Sequence, residues 1–487
     1  MELTQLNSLL AAIPGGTQGQ IGYNTTAYIE AIQKQWKPLF ENQAYKEFDT
    51  DFHKIVTDKV NRKDKEVFQP TGTLMPDGST QLEMIKVKVA RLPVPFQKII
   101  VGRAVQFLTG GKLNLNSEPQ TAPEVLMYDQ VKKIWKDNKI QFKNGKIAKA
   151  MMSQLECAEL WYSEIDQDDS GKEVVTLKMN VLTPVDGFSF SPVFDAFGDL
   201  LAFGIHWIGV DKTEYFDLYN DTEKRSHQKV KGGNWELMND EEGNPAIFEH
   251  GYGKIPIIYY TQLKSEWHTV QRLIERYENL ISNFADINDY NGSPILFLKG
   301  TGNSLPAKGQ AGKVIENPDG TGDAKYITWD QAPEAIKLEI TNLESLIYSM
   351  TQTAPIDFEN MKGLGQLSGV AFDRILIDSH LKAREKQNDT YGECIQRRIN
   401  FLITATAAID ATLKAAKALD IEPDFDIFRI DDQADTIALI TQANGGKPVI
   451  SQQTSIKLAG MVSDFDAEWK LIQAETDFLG GQVQETP

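Results

Sequence analysis

The sequence predicts an α+β protein with two differently built halves. Up to residue 262, short runs of alternating apolar and polar residues lie between turn-forming sequences, which is typical of strands. From Glu266 to Tyr290 there is no Gly or Pro, and apolar residues recur every three or four positions, which predicts a helix begun by Ser265 as its N-cap. That helix of about 25 residues would be roughly 38 Å long at about 1.5 Å per residue. A chain of 487 residues is too long for one ordinary core, so two or more structural regions are expected.

The first half is predicted to begin with helices and to continue into strands. A turn-forming run between Asp166 and Gly171 separates two strand-like segments and predicts a hairpin. The patterns predict, in order, helical sequence over 1–60, a loop over 61–80, a strand over 83–90, a helix over 99–108 ended by two glycines, helices over 123–144 and 146–155, the hairpin strands 160–162 and 174–177, and strands near 201–210, 214–219 and 255–260.

The second half is predicted to contain three long helices. The first covers 266–290, the second 332–351 and the third 370–418. Between the first two, Gly- and Pro-rich turns separate short strand-like segments at 295–298, 313–316 and 325–329. The third helix has a polar middle near Gly392, which predicts a bend. A monomer can hardly bury such long apolar stripes, so neighbouring subunits are expected to cover them.

Composition excludes several classes of protein. The formal net charge is −18 and the pI is about 4.9, which disfavours a surface that grips nucleic acid tightly through its phosphates. Cys157 and Cys394 lie far apart and form no CxxC motif, which suits a reducing cytosol. The segment Met1–Gly16 carries Glu2 and no basic residue, so no signal peptide is expected. No run of about 18 apolar residues occurs, so no membrane span is expected.

No catalytic, metal or cofactor site is predicted. The segment Gly309–Val314 lacks the spacing and the final Ser or Thr of a phosphate-binding loop, and neither GxSxG nor HExxH occurs. The six histidines show no metal-ligand spacing. Two groups of aspartates are better explained as turn residues and as a solvated acidic face without the glycine and glutamate of an EF-hand. These are Asp166, Asp168, Asp169, Asp195 and Asp199, and Asp424, Asp426, Asp431, Asp432 and Asp435.

Five segments in a fixed order resemble the portal proteins of tailed bacteriophages. Each is weak alone, but together they cover roughly residues 90–475 in the order of the family's helices and strands. The segments are Ile99–Gly110 with the turn Gly-Gly-Lys-Leu, where the family's proline is missing, Glu278–Asp286, Pro294–Gly300, Leu367–Ala371, and Ile450–Thr454 followed by Val462–Asp464 and Glu468.

The resemblance implies a portal fold with a wing, stem, clip, tunnel helix and crown-like end. By this analogy the α/β wing is 1–262, the stem helices are 263–292 and 332–352, the small β-containing clip between them is 293–331, the tunnel loop is 353–368, the tunnel helix is 369–418, and the C-terminal wing or crown-like segment is 419–487. Stem packing within and between subunits is expected to involve Leu273, Leu280, Ile281, Leu343, Leu346 and Ile347. The tunnel loop would present Asp357, Glu359 and Lys362 to DNA.

The resemblance also implies partners and a place of action. Portal subunits form a ring, usually of twelve, at one capsid vertex, where double-stranded DNA passes during packaging, is retained, and leaves on ejection. The expected partners are the terminase large subunit, which would hydrolyse ATP, the head-to-tail adaptor, and the major capsid and scaffolding proteins. The chain would then be a non-enzymatic virion component without cofactors, assembled in the host cytoplasm and not membrane-bound.

The distribution of charge is compatible with such a channel. From Asp420 to the end there are 13 acidic and four basic residues, which account for half of the net charge. A negative field keeps DNA mobile, because every phosphate that a cation neutralises adds salt-dependent affinity. Two alternatives stay open at this point: another ring or adaptor component of a virion, and an acidic cytosolic enzyme with an unrecognised site.

Overall fold

The computed structural model describes residues 25–35, 62–76, 80–167, 171, 173–240, 242–291, 295–299, 323–327, 333–354, 376–426, 433–444, 449–460 and 465–482. These residues form a mixed α and β fold, as predicted. The 313–316 strand, the tunnel-loop residues Asp357, Glu359 and Lys362, and the first part of the third long helix lie outside the described residues.

The described helices are distributed along the whole chain. They are α1 (Thr25–Gln35), α2 (Phe96–Thr109), α3 (Ala122–Asp137), α4 (Ile140–Gln154), α5 (Gln271–Asn291), α6 (Pro333–Met350), α7 (Ile377–Asn388), α8 (Thr390–Ile409), α9 (Gln433–Asn444), α10 (Gln452–Ala459) and α11 (Phe465–Gln482). Short 3₁₀ helices occupy Pro184–Asp186, His268–Val270 and Ala411–Ala416.

The described strands lie mainly before residue 262. They are β1 (Lys65–Leu74), β2 (Thr80–Val87), β3 (Leu113–Asn116), β4 (Glu156–Gln167), β5 (Glu173–Leu182), β6 (Ser189–Phe194), β7 (Leu200–Ile208), β8 (Glu214–Tyr219), β9 (Glu223–Lys229), β10 (Glu236–Leu237), β11 (Ile247–Glu249), β12 (Ile257–Thr261), β13 (Ile295–Lys299), β14 (Asp323–Ile327) and β15 (Glu422–Phe425). The predicted hairpin is present as β4 and β5, and the strands predicted near 201–210, 214–219 and 255–260 are present as β7, β8 and β12.

The strands form two larger antiparallel sheets and three strand pairs. One sheet has the order β12-β4-β5, and the other has the order β10-β9-β8-β7-β6 with β11 also paired to β9. Where β12 pairs with β4, the first sheet is buried on both faces: Tyr260 belongs to the main core, whereas its neighbour Tyr259 packs into a second cluster with Phe203 of the larger sheet. Burial on both faces explains the continuous apolar run of β12.

The main core is built around α8. This helix is buried on nearly every side, and it packs against α3, β12 and the 3₁₀ helix Ala411–Ala416. A helix apolar all round is typical of the centre of a large domain. The pairs β1-β2, β13-β14 and β3-β15 complete the described sheet structure. No described helix is both long and apolar enough to cross a membrane.

The third long helix is not continuous, so the prediction of one helix to residue 418 is wrong. Helix α7 ends at Asn388, Asp389 adopts an extended conformation with φ −113° and ψ −151°, and α8 begins at Thr390. The predicted bend near Gly392 is therefore confirmed. Helix α8 ends at Ile409, because the Asp410 carboxylate accepts the Thr412 N–H at 2.9 Å and caps the following 3₁₀ helix.

The break between α3 and α4 lies at Asn138, and the predicted helices 123–144 and 146–155 have the wrong boundary. The buried Asn138 amide donates to the Leu177 carbonyl at 2.8 Å and accepts the Met179 N–H at 2.8 Å. These bonds fasten the chain to β5. Lys139 then adopts a left-handed conformation with φ 53°, which ends one helix and begins the next.

The prediction of a loop over 61–80 is also wrong. Strands β1 and β2 form a hairpin there, and Pro70 and Gly72, which predicted the loop, lie inside β1. A register irregularity between Pro70 and Leu74 accommodates them. Proline is tolerated at a bulge or on the outer side of an edge strand, where its missing N–H breaks no ladder bond.

Candidate functional site

The two ends of the segment 355–375 are held together at one point. The Ser379 hydroxyl at the start of α7 donates to the Gln352 carbonyl at 2.9 Å and accepts the Ala354 N–H at 3.0 Å. Lys382 donates to the Thr351 carbonyl at 2.8 Å, and Arg103 of α2 donates to the Ala354 carbonyl. The chain therefore leaves the end of α6 and returns to α7 at a single hydrogen-bonded base.

A buried carboxylate joins this base to the start of α5. Glu266 lies 2.7 Å from Lys382 Nζ and 2.6 Å from Lys386 Nζ. Burial by itself would raise the pKa of Glu266, but the two ammonium groups outweigh it and hold the pKa below its ordinary value. The predicted helix over 266–290 begins only at Gln271, because Glu266 is bound to α7 and Trp267 is buried in the main core.

An open cleft of about 500 Å³ lies beside the ion pairs. It is bounded by the segment Thr261–Glu266, by the end of α6 and by the break between α7 and α8. The cleft has mixed polar and apolar walls, and among the described residues no group of three or more His, Cys, Asp or Glu side chains could hold a metal ion. Glu266, Lys382 and Lys386 all line the cleft, so the ion pairs form part of its wall.

We expect Glu266→Gln to lower the free energy of unfolding by about 1–2 kcal/mol, because glutamine can still accept one hydrogen bond but carries no charge opposite two lysines. The folded pKa of Glu266 is depressed, so its stabilisation is present above the ordinary value of 4.5 and is lost as the pH falls through the folded pKa. The difference between variant and wild type should therefore shrink in acid. Denaturant titrations at neutral and acidic pH measure it.

The matched control is Glu385→Gln on the exposed side of α7. We expect this variant to change stability by less than about 0.5 kcal/mol. Equal effects from the two variants, or a Glu266→Gln effect that grows in acid, would contradict the assignment of a buried charged junction.

The six predicted stem residues divide into two groups. Leu280, Leu343 and Ile347 are buried within one subunit, and Leu273 packs against the main core. Ile281 is partly exposed and Leu346 is 48% exposed. Arg276 of α5 and Glu339 of α6 pair across the two helices at 2.8 Å. Four of the six are therefore buried or packed within the subunit, and two have side chains at the surface.

The predicted aspartate turns have the expected local hydrogen bonds where the structure describes them. Asp195 accepts the N–H groups of Phe197 and Asp199, both at 2.8 Å, and these backbone bonds lower the pKa of its carboxyl group. Asp424 and Asp426 are exposed in and beside β15, an arrangement that fits a solvated face. Asp168, Asp169, Asp431 and Asp432 lie outside the described residues.

A buried charged network in the main core was not predicted. Arg398 in the middle of α8 forms a fully buried ion pair with Glu159 of β4, and donates to the Asn144 side chain at 2.8 Å and to the Tyr260 hydroxyl at 3.0 Å. Trp161 Nε1 donates to the same carboxylate at 3.2 Å. The only signal in the sequence is a charged residue among the apolar residues of α8.

Solved structures that resemble the chain include three from gene transfer agent (GTA) particles. The neck of an empty GTA particle with C6 symmetry is 11% identical, with a TM-score of 0.38, over 76% of this chain and 91% of that chain. The neck of a native GTA particle with C12 symmetry is 12% identical, with a TM-score of 0.38, over 85% and 99%. The virion of a native gene transfer agent particle is 10% identical, with a TM-score of 0.34, over 74% and 89%. No curated protein matches the chain.

The family is established independently of these distant likenesses. The family model described as "Phage portal protein, SPP1 Gp6-like" matches residues 34–478, which is most of the chain. This match confirms the predicted resemblance and separates the portal interpretation from the two alternatives that the sequence left open. The chain belongs to the SPP1 Gp6-like family of phage portal proteins.

Proposed function

We propose that this portal protein forms a closed ring of twelve subunits at one capsid vertex, through which double-stranded DNA is packaged, retained and ejected. Membership of the portal family over residues 34–478 is the observation that carries the proposal. The subunit itself is non-enzymatic and binds no cofactor, and ATP hydrolysis belongs to the terminase. The clip, residues 293–331, docks the terminase large subunit and later the head-to-tail adaptor, while the wing and crown-like segment meet the capsid and scaffolding proteins.

The hydrogen-bonded base at Ser379 supports the role of the adjacent loop in the channel. The base fixes where the chain leaves the end of α6 and returns to α7. In this proposal that fixed base holds the loop 353–368 towards the ring axis. Ring symmetry would repeat Asp357, Glu359 and Lys362 once per subunit at one height. One lysine collar in an acidic tube would contact phosphates transiently, because each contact adds only a modest salt-dependent affinity.

The stem supplies part of the ring interface in this proposal. Leu280, Leu343 and Ile347 are already covered within the subunit, which leaves the half-exposed Leu346 and the partly exposed Ile281 for the neighbour. A closed ring joins one surface of each subunit to a different surface of the next. We therefore expect the stem helices to pack within a subunit through one set of residues and against the neighbouring subunit through another.

We expect electron cryo-microscopy of the purified protein to reveal a twelve-subunit ring with a central hole wide enough for duplex DNA. In the reconstruction, the loop 353–368 should face that hole and the clip should lie at one end of the ring. A monodisperse monomer would contradict the channel proposal, and a ring whose loops point outwards would remove Lys362 from it.

A further inference from the structure

The base of the β1-β2 hairpin is clamped to α5 by a regular ladder of side chains. Glu278, Ser282 and Asp286 accept the backbone N–H groups of Val94, Leu92 and Ala90 at 2.9, 2.9 and 2.8 Å. Four residues of helix rise about 6 Å, which is close to the roughly 6.6 Å spanned by two extended residues. Every fourth side chain of α5 therefore meets every second N–H group of the extended segment. The segment that follows β2 thus runs antiparallel along α5.

A second set of bonds ties the other leg of the hairpin to the same place. Arg62, just before β1, lies 2.7 Å from Asp286, and Arg91 pairs with Asp64 at 2.9 Å across the two legs. Both legs are therefore fixed to one end of α5. The hairpin therefore extends from α5 in a fixed direction.

The hairpin itself carries an exposed apolar face. Phe68 and Met84 are directly paired, and Leu82 lies two residues from Met84 on the same side. Their side chains are 65%, 56% and 57% exposed, more than those of Val67, Ile85 and Val87 on the opposite side. Phe68, Leu82 and Met84 together expose on the order of 300 Å², the size of the largest apolar patch on a typical monomer. No described hairpin residue belongs to a hydrophobic cluster of the described chain.

We expect another surface to cover the exposed apolar side chains of this hairpin. A two-stranded hairpin alone is marginally stable in water, and exposed apolar strands with free edges invite pairing. The two strands carry two lysines and two glutamates, with Lys86 beside Glu66 and Lys65 beside Asp286, both at 3.9 Å. Because these charges balance, the face offers nothing to a nucleic acid backbone, and its chemistry favours an apolar protein surface.

We infer that the face formed by Phe68, Leu82 and Met84, the hairpin face, docks on a neighbouring copy of this chain. The inference rests on ring assembly, in which every subunit presents a different surface to the next. The hairpin is anchored to α5, whose partly exposed Ile281 lies between the clamp residues, so its interface continues that of the helix pair α5 and α6. In a ring, every subunit has a second copy of the chain beside it, and that copy is the partner we infer for the hairpin face.

The test compares ring assembly of the double variant Phe68→Asp, Met84→Asp with that of wild type by mass photometry over a dilution series. We expect the concentration at which half of the protein is in rings to rise at least tenfold. The melting temperature of dissociated subunits should not change, because both side chains are exposed in the subunit. The control is Val230→Asp, which alters a side chain that is also 65% exposed but lies beyond β9. Unchanged assembly of the double variant, or equal losses in both variants, would overturn the inference.

A cross-link tests the same contact without weakening it. Both natural cysteines are buried, so an L82C variant can be labelled selectively with a benzophenone maleimide. Irradiated rings of purified protein should give covalent dimers of this chain, and an equally labelled V230C variant should not. Rings without dimers, or a hairpin that cross-links only to capsid protein in assembled particles, would overturn the inference and leave the channel proposal intact. A wild-type protein that forms no ring would overturn the channel proposal, and the inference with it.

Discussion

Replacing Arg398 by methionine is expected to lower the free energy of unfolding by about 3–5 kcal/mol. The variant leaves Glu159 buried without its ion-pair partner, because Trp161 and Tyr260 donate hydrogen bonds to it but carry no charge. Burial also raises the pKa of Tyr260 above its ordinary value, because the site disfavours a charge on the phenol oxygen. Thermal and denaturant unfolding at fixed protein concentration measure the loss.

The neighbouring arginine provides the control for this prediction. Arg397 pairs with Glu393 one turn away on the exposed side of α8, and Arg397→Met should cost less than about 0.5 kcal/mol. Combining Arg398→Met with Glu159→Gln should recover part of the loss, because the uncompensated charge is then gone. If the single Arg398 variant lost less than about 1 kcal/mol, the ion pair would not be the constraint that the geometry indicates.

Replacing Gly392 by alanine is expected to cost at least about 3 kcal/mol, although alanine is the better helix former by about 1 kcal/mol. A Cβ at this position would overlap the carbonyl oxygen of Gln387, which lies in the last turn of α7. Backbone cannot move aside as a flexible side chain can, so the junction between α7 and α8 would have to open. The loss should appear as a lower unfolding midpoint in denaturant.

Gly102 provides a control, because its replacement by alanine is expected to raise the free energy of unfolding. It lies on the exposed side of α2, and a Cβ there would meet nothing within 4 Å. Gly102→Ala should therefore stabilise the protein by about 0.5–1 kcal/mol, through helix propensity alone. A Gly392→Ala variant as stable as the Gly102→Ala variant would refute the close approach of the two helices.

Sequence patterns predicted the helices and strands that are determined by their own residues. The long helices α5 and α6 could be predicted because their apolar spacing and lack of Gly and Pro are properties of the segment itself. The bend at Gly392 was predicted from helix propensity, but the structure gives a different physical reason, the nearby Gln387 carbonyl. The helix break at Asn138 depends on hydrogen bonds to β5 about 40 residues later, so no local pattern could locate it.

The candidate site was predictable only in outline. Its loop was expected between two helices, but Ser379, Lys382 and Glu266 act through partners far away in sequence. Glu159 and Arg398 are 239 residues apart, and one sequence contains no signal that pairs them. The hairpin was missed because proline and glycine, here Pro70 and Gly72, are typical both of turns and of irregular edge strands.

The hydrogen-bonded base between Gln352 and Ser379 has a consequence for how this protein can vary. The base holds the two ends of the segment together, so lengthening the segment changes the entropy of closing a loop whose ends are already fixed. That cost grows slowly, by about 0.6 kcal/mol for each doubling of length. Closure entropy by itself therefore sets only a small penalty on insertions between residues 355 and 375. If this segment lines the channel, as proposed above, the lining can change in length while the helices that hold its two ends stay the same.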